Sequence, residues 1–416
     1  MVPRFRPDPS GTRTRPAAPA QWAASVAART RNGMCVAAAR PGMDAIVVGG
    51  GIVGTATAYH LAEAGVDVRL FDREDEARAT DAGAGILAPA TSSHADSEPW
   101  FRFATDAVDY YDDLDAALRE AGVGTTGFDR PGMVQVAYGE AATERFDAAL
   151  ERIRDRQARL GVPERVGTIT PEAARERCPA LGRPDRALWT PNAGRVDGRR
   201  FTAAMRTAGR AAGLEVVRAD VTGLRVAAGT VTGVVADGER VGADAVVIAG
   251  GAWSPAFAAD LGVDVPVEPM RGQIVHLDSD RDTGNWPIVT AVRSHYVVPW
   301  SGGHVAVGAT YEEGSGYAPH TTVAGVHEVL GDALEVVPGL ADAAIGELRV
   351  GLRPASADGL PVCGPVPEVE GAYLATGNGP TGLQMGPYTG RQVARLVRGL
   401  PAETDVAAFD PARVIE

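Results

Sequence analysis

The chain has no lysine. All 40 basic residues among its 416 are arginine, and that one absence removes two large classes of enzyme. A Walker-type phosphate loop needs a lysine beside the phosphates. A pyridoxal phosphate enzyme needs one for its Schiff base. Cysteine is scarce as well: Cys35, Cys178 and Cys363 are odd in number, far apart and form no CxxC pair. A disulfide framework is excluded, and a reducing cytoplasm fits. Seven scattered histidines make no HExxH or similar ligand pair, so no metal site is expected. There is no GxSxG elbow for a serine hydrolase. No apolar run approaches the roughly 20 residues of a membrane span. The net charge of −13 argues against nucleic acid as a partner.

The composition that remains is that of a globular protein, 45% hydrophobic and 22% charged. Its length allows two domains or one large one. Residues 1–42 stand apart. They carry seven arginines against one acid, Asp8, with many prolines and alanines. They lack the apolar core of about 7–15 residues that a signal peptide needs. Disorder is expected there, with the folded chain opening near Met43.

One stretch organises the rest: DAIVVGGGIVGTATAYHLAEAGVDVRLFD, Asp44 to Asp72. Ala45-Ile46-Val47-Val48 is short and β-branched, the mark of a buried parallel strand. Gly49 permits a tight turn, Gly51 lets backbone approach a pyrophosphate, and Gly54 lets the next helix pack closely on the sheet. Ile52 and Val53 lie between them. A helix of small residues follows, and its N-terminus offers free N–H groups to phosphates. Val66 to Phe71 is a second strand ending on Asp72, with Arg73 beside it. An acid about 20 residues beyond the glycines is placed for a ribose hydroxyl. These elements in this order predict a dinucleotide site, without choosing between NAD and FAD.

Further along, small residues crowd Ala79 to Pro89, as where backbone lies against a flat ligand. Residues 98–120 and Glu140 to Leu160 read as amphipathic helices, and Gly132 to Tyr138 as a strand. Thr170-Pro171-Glu172 starts another helix. Val196 to Phe201 leads into a helix that runs to about Ala212, and a hairpin spans Val221 to Ala236. Ala243 to Trp253 repeats the theme of buried strand into glycine turn. Val267–Leu277, His295–Trp300 and His304–Thr310 alternate as strands of an antiparallel sheet. A last strand and helix run from Ala372 to about Gly399. The expected fold is α/β with α+β: a Rossmann-like dinucleotide domain in discontinuous segments (43–97, 195–266, 345–416) with an inserted substrate domain (98–194, 267–344) on an antiparallel or mixed sheet.

Taken together, VVGGGIVG (47–54), ATDAGAGILAP (79–89), VVIAGGAWS (246–254), MRGQ (270–273), HYVVP (295–299), GLRPASADGLPVCGP (351–365) and ATGNGPTGLQMGP (375–387) carry a resemblance. From about residue 43 to 410 the chain resembles the FAD-dependent amine and D-amino-acid oxidoreductases, among them D-amino-acid oxidase, glycine oxidase, sarcosine oxidase and D-amino-acid dehydrogenase. The resemblance selects FAD. It implies that Gly49, Gly51 and Gly54, with Ile52 and Val53, hold the pyrophosphate, and that Asp72, with Arg73, holds the adenosine ribose. Val221 would meet the adenine. Thr80 and the Ala84-Gly85-Ile86 backbone would lie along the pyrophosphate and flavin, with Gly250 near them. Gly379, Gly382, Leu383 and Gln384 would lie under the pyrimidine end. Arg353 matches the family's substrate-carboxylate arginine, and Tyr296 a tyrosine that caps the carboxylate or closes the pocket. His295 either lines the same pocket or is exposed.

Two departures refine this. Glycine oxidases tend to carry HxRNG in the last motif, with a second substrate arginine, where this chain has Asn378-Gly379-Pro380-Thr381-Gly382. Monomeric sarcosine oxidases have a flavin-linking cysteine and an oxygen-activating lysine. Here lysine is absent and Cys363 lies in a different motif, so non-covalent FAD is expected. The implied reaction is oxidation of a small amino acid by hydride transfer from Cα to the flavin, with oxygen or another acceptor taking the electrons. A homo-oligomer remains open. The alternatives are a 2-hydroxy-acid dehydrogenase of the same superfamily and a flavin-binding protein without turnover.

Overall fold

The computed structural model describes residues 42–161, 166–291 and 295–415. The expected disordered extension up to residue 41, Cys35 included, lies outside them. Asp44–Val48 is a strand whose last four residues are buried. It runs parallel to Asp67–Phe71 on one side and to Ala245–Ile248 on the other. Its side chains alternate between two cores: Ala45 and Val47 face one, Ile46 and Val48 the other. That is why the strand is apolar without interruption.

Across the six-stranded sheet the order is Val362–Pro365, Ala372–Thr376, Ala245–Ile248, Asp44–Val48, Asp67–Phe71, Glu215–Val217. Only the edge strand Val362–Pro365 is antiparallel to its neighbour. One face is covered by the helices Ile52–Glu63, Gly198–Ala211 and Gly382–Val397. Small residues make this layer tight. A Cβ at Gly390 would stand 2.7 Å from the Cβ of Ala56 and from the Val53 carbonyl oxygen. The other face carries a three-stranded antiparallel sheet, Val221–Ala227, Thr230–Ala236 and Glu239–Gly242. Its first two strands are the expected hairpin; the third, charged and short, extends it.

The second sheet has eight strands in the order Ala344–Ser356, Val267–Asp278, His304–Gly308, Tyr296–Pro299, Ile288–Ala291, Met133–Ala137, Arg186–Thr190, Gly167–Ile169. It is mixed: Ile288–Ala291 and Met133–Ala137 run parallel. One face, through Val134, Val275, Val289, Val297 and Val307, packs on a core that includes the helix Val323–Val336. The opposite face, through Met133, Ile274, Ile288, Val298 and Ala306, meets Ala84 and Ala88 of the small-residue segment. That second face closes the cleft described below.

Two elements sit elsewhere than the expected division of the chain put them. Glu98–Glu120 forms at the bounds its 3.6-residue stripe predicts, but Trp100, Phe101, Phe103 and Tyr111 are buried in the core of the six-stranded sheet. The hydroxyl of Tyr111 donates to the Leu383 carbonyl. Ala344–Ser356 is a 13-residue strand paired along its length with Val267–Asp278, so it belongs to the eight-stranded sheet. An amphipathic stripe states that a helix is half-buried, not what buries it.

Candidate functional site

Between the two sheets lies a cavity of about 880 Å³, near the upper end of the roughly 300–1,000 Å³ usual for small-molecule sites. Of the residues singled out from the sequence, all but Gly54 line it.

The wall formed by the six-stranded sheet is largely backbone. Gly49 has φ +104°, and a Cβ there would lie 2.4 Å from the Ala249 carbonyl oxygen. Gly54 stands behind the turn, where a Cβ would come within 2.0 Å of the Gly49 oxygen. It brings the helix against the strand. The ladder of Ile52–Glu63 begins with Thr55 N–H donating to the Gly51 oxygen at 2.9 Å, so the preceding N–H groups have no acceptor within the helix. The Ile52 N–H donates to Thr80 Oγ1 at 2.9 Å, which leaves the Thr80 proton to point elsewhere. Gly85, with φ +74°, packs against Val196, whose oxygen a Cβ would approach to 1.8 Å. At the far end, Gln384 Oε1 accepts the Ala88 N–H at 2.9 Å, while its Nε2 is buried without a partner. Asn378 Oδ1, also on the cavity, is buried and unpartnered too. Gly379 and Gly382 bracket the start of Gly382–Val397, and Leu383 packs on Gly83 and Gly198. Gly250 follows the strand Ala245–Ile248.

Asp72 follows the second strand and is buried. Arg206 Nη2 lies 2.5 Å from Asp72 Oδ2, and Arg78 Nη1 lies 2.8 Å from the same oxygen. Burial opposes ionisation of Asp72, but the hydrogen bond from Arg206 and the charges of Arg78 and Arg206 outweigh it and hold the carboxyl below its ordinary range. Arg206 also donates to the Gly50 oxygen at 2.6 Å, so it ties acid and glycine turn together. Sequence reasoning missed it, because its partners are 134 and 156 residues away. Arg73 pairs with Asp75 at 2.5 Å and Asp220 at 3.3 Å, next to Val221, and its guanidinium stands over the Trp253 ring.

The opposite wall is side chains. Arg353 projects from the edge strand over Gly272, where a Cβ would be 2.3 Å from its guanidinium. Its Nη1 donates to the Thr310 carbonyl at 2.9 Å, and the guanidinium carbon lies 4.5 Å from the centroid of the Tyr311 ring. Among the described residues it makes no ion pair with a carboxylate. Tyr296 stands beside it. Burial pushes the Tyr296 hydroxyl above its ordinary value, against the pull of Arg353, so it stays protonated as a donor. Behind the sheet, Glu312 accepts from Arg271 at 2.5 Å and from Gln273 at 2.6 Å, which fixes the segment carrying Tyr311. His295 borders the cavity, but its imidazole is set against Asp332 at 2.7 Å and Glu328 at 3.5 Å on the helix Val323–Val336. It is thus buried, turned toward that helix.

Cys363 is buried in the edge strand of the six-stranded sheet, away from the cavity, and burial pushes its thiol up to about 12. No group of three or more His, Cys, Asp or Glu side chains among the described residues is arranged to hold a metal ion. No helix among them is long and apolar enough to cross a membrane.

Comparison with known proteins agrees with this geometry. The profile of the family described as FAD dependent oxidoreductase matches residues 44–396. An uncharacterised oxidoreductase of Bacillus subtilis is 38% identical over 372 residues, covering 88% of this chain and 98% of that one. Among solved structures, iminodiacetate oxidase from Chelativorans sp. BNC1 superposes with a TM-score of 0.83 at 35% identity, over 88% of this chain and 98% of its own. Glycine oxidase from Geobacillus kaustophilus follows at 0.81 and 29%, over 89% and 98%.

Proposed function

The chain belongs to the family of FAD-dependent oxidoreductases, and from that premise we propose that it oxidises the carbon–nitrogen bond of a small amino acid. The substrate is of the D-amino-acid, glycine or N-methylglycine type, and the products are a 2-oxo acid and ammonia or an amine. Arg353 carries this reading. A cation facing a cavity without a counter-ion is costly unless a ligand supplies one. A carboxylate does so best, through two parallel charge-assisted bonds. The Tyr296 hydroxyl adds a third donor beside them.

The other wall fits FAD. Gly49, Gly51, Ile52, Val53 and Gly54 would form the turn that seats the pyrophosphate, at the positive end of a helix. Asp72 and Arg73 would lie at the adenosine ribose and Val221 at the adenine. Thr80, Ala84, Gly85, Ile86 and Gly250 would line the middle. Gly379, Gly382, Leu383 and the unpartnered Gln384 amide would meet the flavin edge. Neither Cys178 nor Cys363 lies on the cavity, which supports non-covalent binding.

When bound, FAD supplies the two-electron acceptor. Arg353 and Tyr296 hold the carboxylate and so fix which way the Cα–H bond points; positioning of this kind lowers a barrier by several kcal/mol. The amine enters as the free base, its lone pair forming the C=N bond as the hydride leaves, and water then releases the 2-oxo acid. No side-chain base is needed on the cavity for that step. A cytoplasmic setting belongs to the same proposal, supported by two buried free thiols.

The test is anaerobic reduction of the purified yellow protein. Glycine, sarcosine, iminodiacetate or a D-amino acid should bleach it, and readmitted air should show whether oxygen takes the electrons and gives peroxide. Bleaching by 2-hydroxy acids instead would move the assignment to a hydroxy-acid dehydrogenase. Bound flavin indifferent to every donor and to Arg353→Ala would leave a binding protein.

A further inference from the structure

We infer that the substrate carries a second, oxygen-bearing arm, and that Thr290 and Gln135, in a row with Tyr296, form the subsite that receives it; the inference rests on the amino-acid oxidation proposed above. The register of the eight-stranded sheet sets these residues in one row. Gln135 is paired with Thr290, and Thr290 with Tyr296. Directly paired residues share a face of a sheet, and all three line the cavity. Their neighbours on that face are apolar: Met133, Ile288 and Val298.

Two members of the row have unmet hydrogen-bonding capacity. Thr290 Oγ1 is buried with no partner. The half-buried Gln135 carboxamide has no hydrogen bond to any described residue. Tyr296 interacts with the Arg353 guanidinium, and its phenolic proton serves the carboxylate that Arg353 holds, so the row beyond it is left to Thr290 and Gln135. Buried polar groups left unpaired call for an explanation, and on a cavity wall the simplest one is a ligand. The donors on offer are an alcohol and an amide N–H₂, so the matching group is an acceptor, best a carboxylate.

Size agrees. Adjacent strands lie about 4.8 Å apart, so the row runs about 10 Å from Tyr296 to Gln135. A glycine molecule on Arg353 reaches Tyr296 and leaves the rest of the row dry. A second carboxylate two or three bonds beyond the reacting carbon reaches further along it. Such an arm is carried either on nitrogen, as in iminodiacetate, or on Cα, as in D-aspartate. An apolar side chain in the same place would strand the donors, and sites built to hydrogen-bond a group reject analogues that lack it.

The experiment compares kcat/KM of the holoenzyme for iminodiacetate against sarcosine, and for D-aspartate against D-alanine. The two pairs separate an arm on nitrogen from an arm on carbon. At least one two-armed substrate should be preferred. The Gln135→Leu/Thr290→Val double variant should cut that preference by at least tenfold, at roughly tenfold per lost hydrogen bond, and Thr290→Ser should retain it. Flavin content and melting temperature are followed to exclude misfolding. A wild-type enzyme that prefers sarcosine and D-alanine, or a preference unmoved in the double variant, overturns the subsite while amino-acid oxidation stands. If no amine reduces the flavin, both readings fall.

Discussion

The two walls of the cleft are built by different means. The wall on the six-stranded sheet is shaped by backbone: a glycine turn, a helix N-terminus and a small-residue segment in which Gly85 lies tight against Val196. The wall on the eight-stranded sheet is shaped by what the side chains are, with Arg353, Tyr296, Thr290 and Gln135 on an ordinary pleated surface. A backbone-built wall tolerates few substitutions and serves a fixed ligand. A side-chain wall can change its chemistry without changing its fold. Cofactor identity and substrate choice therefore answer to different mutations, and that separation is testable.

The largest effect is expected on the backbone side. Gly54→Val forces a Cβ and two methyls toward the Gly49 oxygen, already only 2.0 Å from the Cβ position. Relief requires the helix to leave the strand, at a cost of about 4 kcal/mol or more. Denaturant melts and flavin absorbance should show a destabilised protein short of FAD; normal flavin content would break the comparison at its root. Next comes Arg353→Ala on the other wall. It should leave flavin bound and lower the rate of anaerobic reduction on the order of a thousandfold, about 4 kcal/mol at 1.4 kcal/mol per decade. A loss within threefold would remove Arg353 from the carboxylate site.

The same division explains what could be read in advance. The glycine turn was legible because Gly49, Gly51 and Gly54 act on their near neighbours, so spacing alone encodes the geometry. Glu98–Glu120 was legible as a helix because 23 residues keep one apolar stripe. Its burial on the nucleotide side was not, since nothing local names a partner. Gln135 and Thr290 lie in stretches whose side chains gain a shared face only once distant strands pair. Val323–Val336 was missed even though Thr322 caps it, accepting from the Gly325 N–H at 3.0 Å. Its glycines and valines lower helix propensity, and a neighbouring sheet outweighs that preference.

Arg206 ties the glycine turn to Asp72, and it offers a smaller, sharper test. It bonds the Gly50 oxygen, Thr55 Oγ1 and Asp72. Arg206→Gln leaves Asp72 with Arg78 alone and frees the turn to move. FAD affinity, titrated by flavin fluorescence quenching, should weaken roughly tenfold. Unchanged or tighter binding would mean that the turn is held by its glycines without help.

A last test probes the side-chain sheet through acid, and it reads stability rather than cofactor or substrate. His276 is buried on Val267–Asp278, with Nδ1 3.1 Å from His304 Nε2. Burial, then the Arg349 charge and His304, lower its pKa to about 4 from 6.5, against the pull of Glu347. The unfolded chain therefore takes up this proton first as pH falls, and it stabilises the unfolded state. The contribution of neutral His276 is complete above pH 6.5 and is lost progressively down to about 4, below which nothing more is lost. The slope is worth on the order of 1–3 kcal/mol across that window. His276→Gln removes the titrating group, so melting temperature should fall less steeply between pH 6.5 and 4 than in the wild type. If the two profiles run parallel, His276 is protonated in the folded sheet, and this part of the sheet is wetter than its packing indicates.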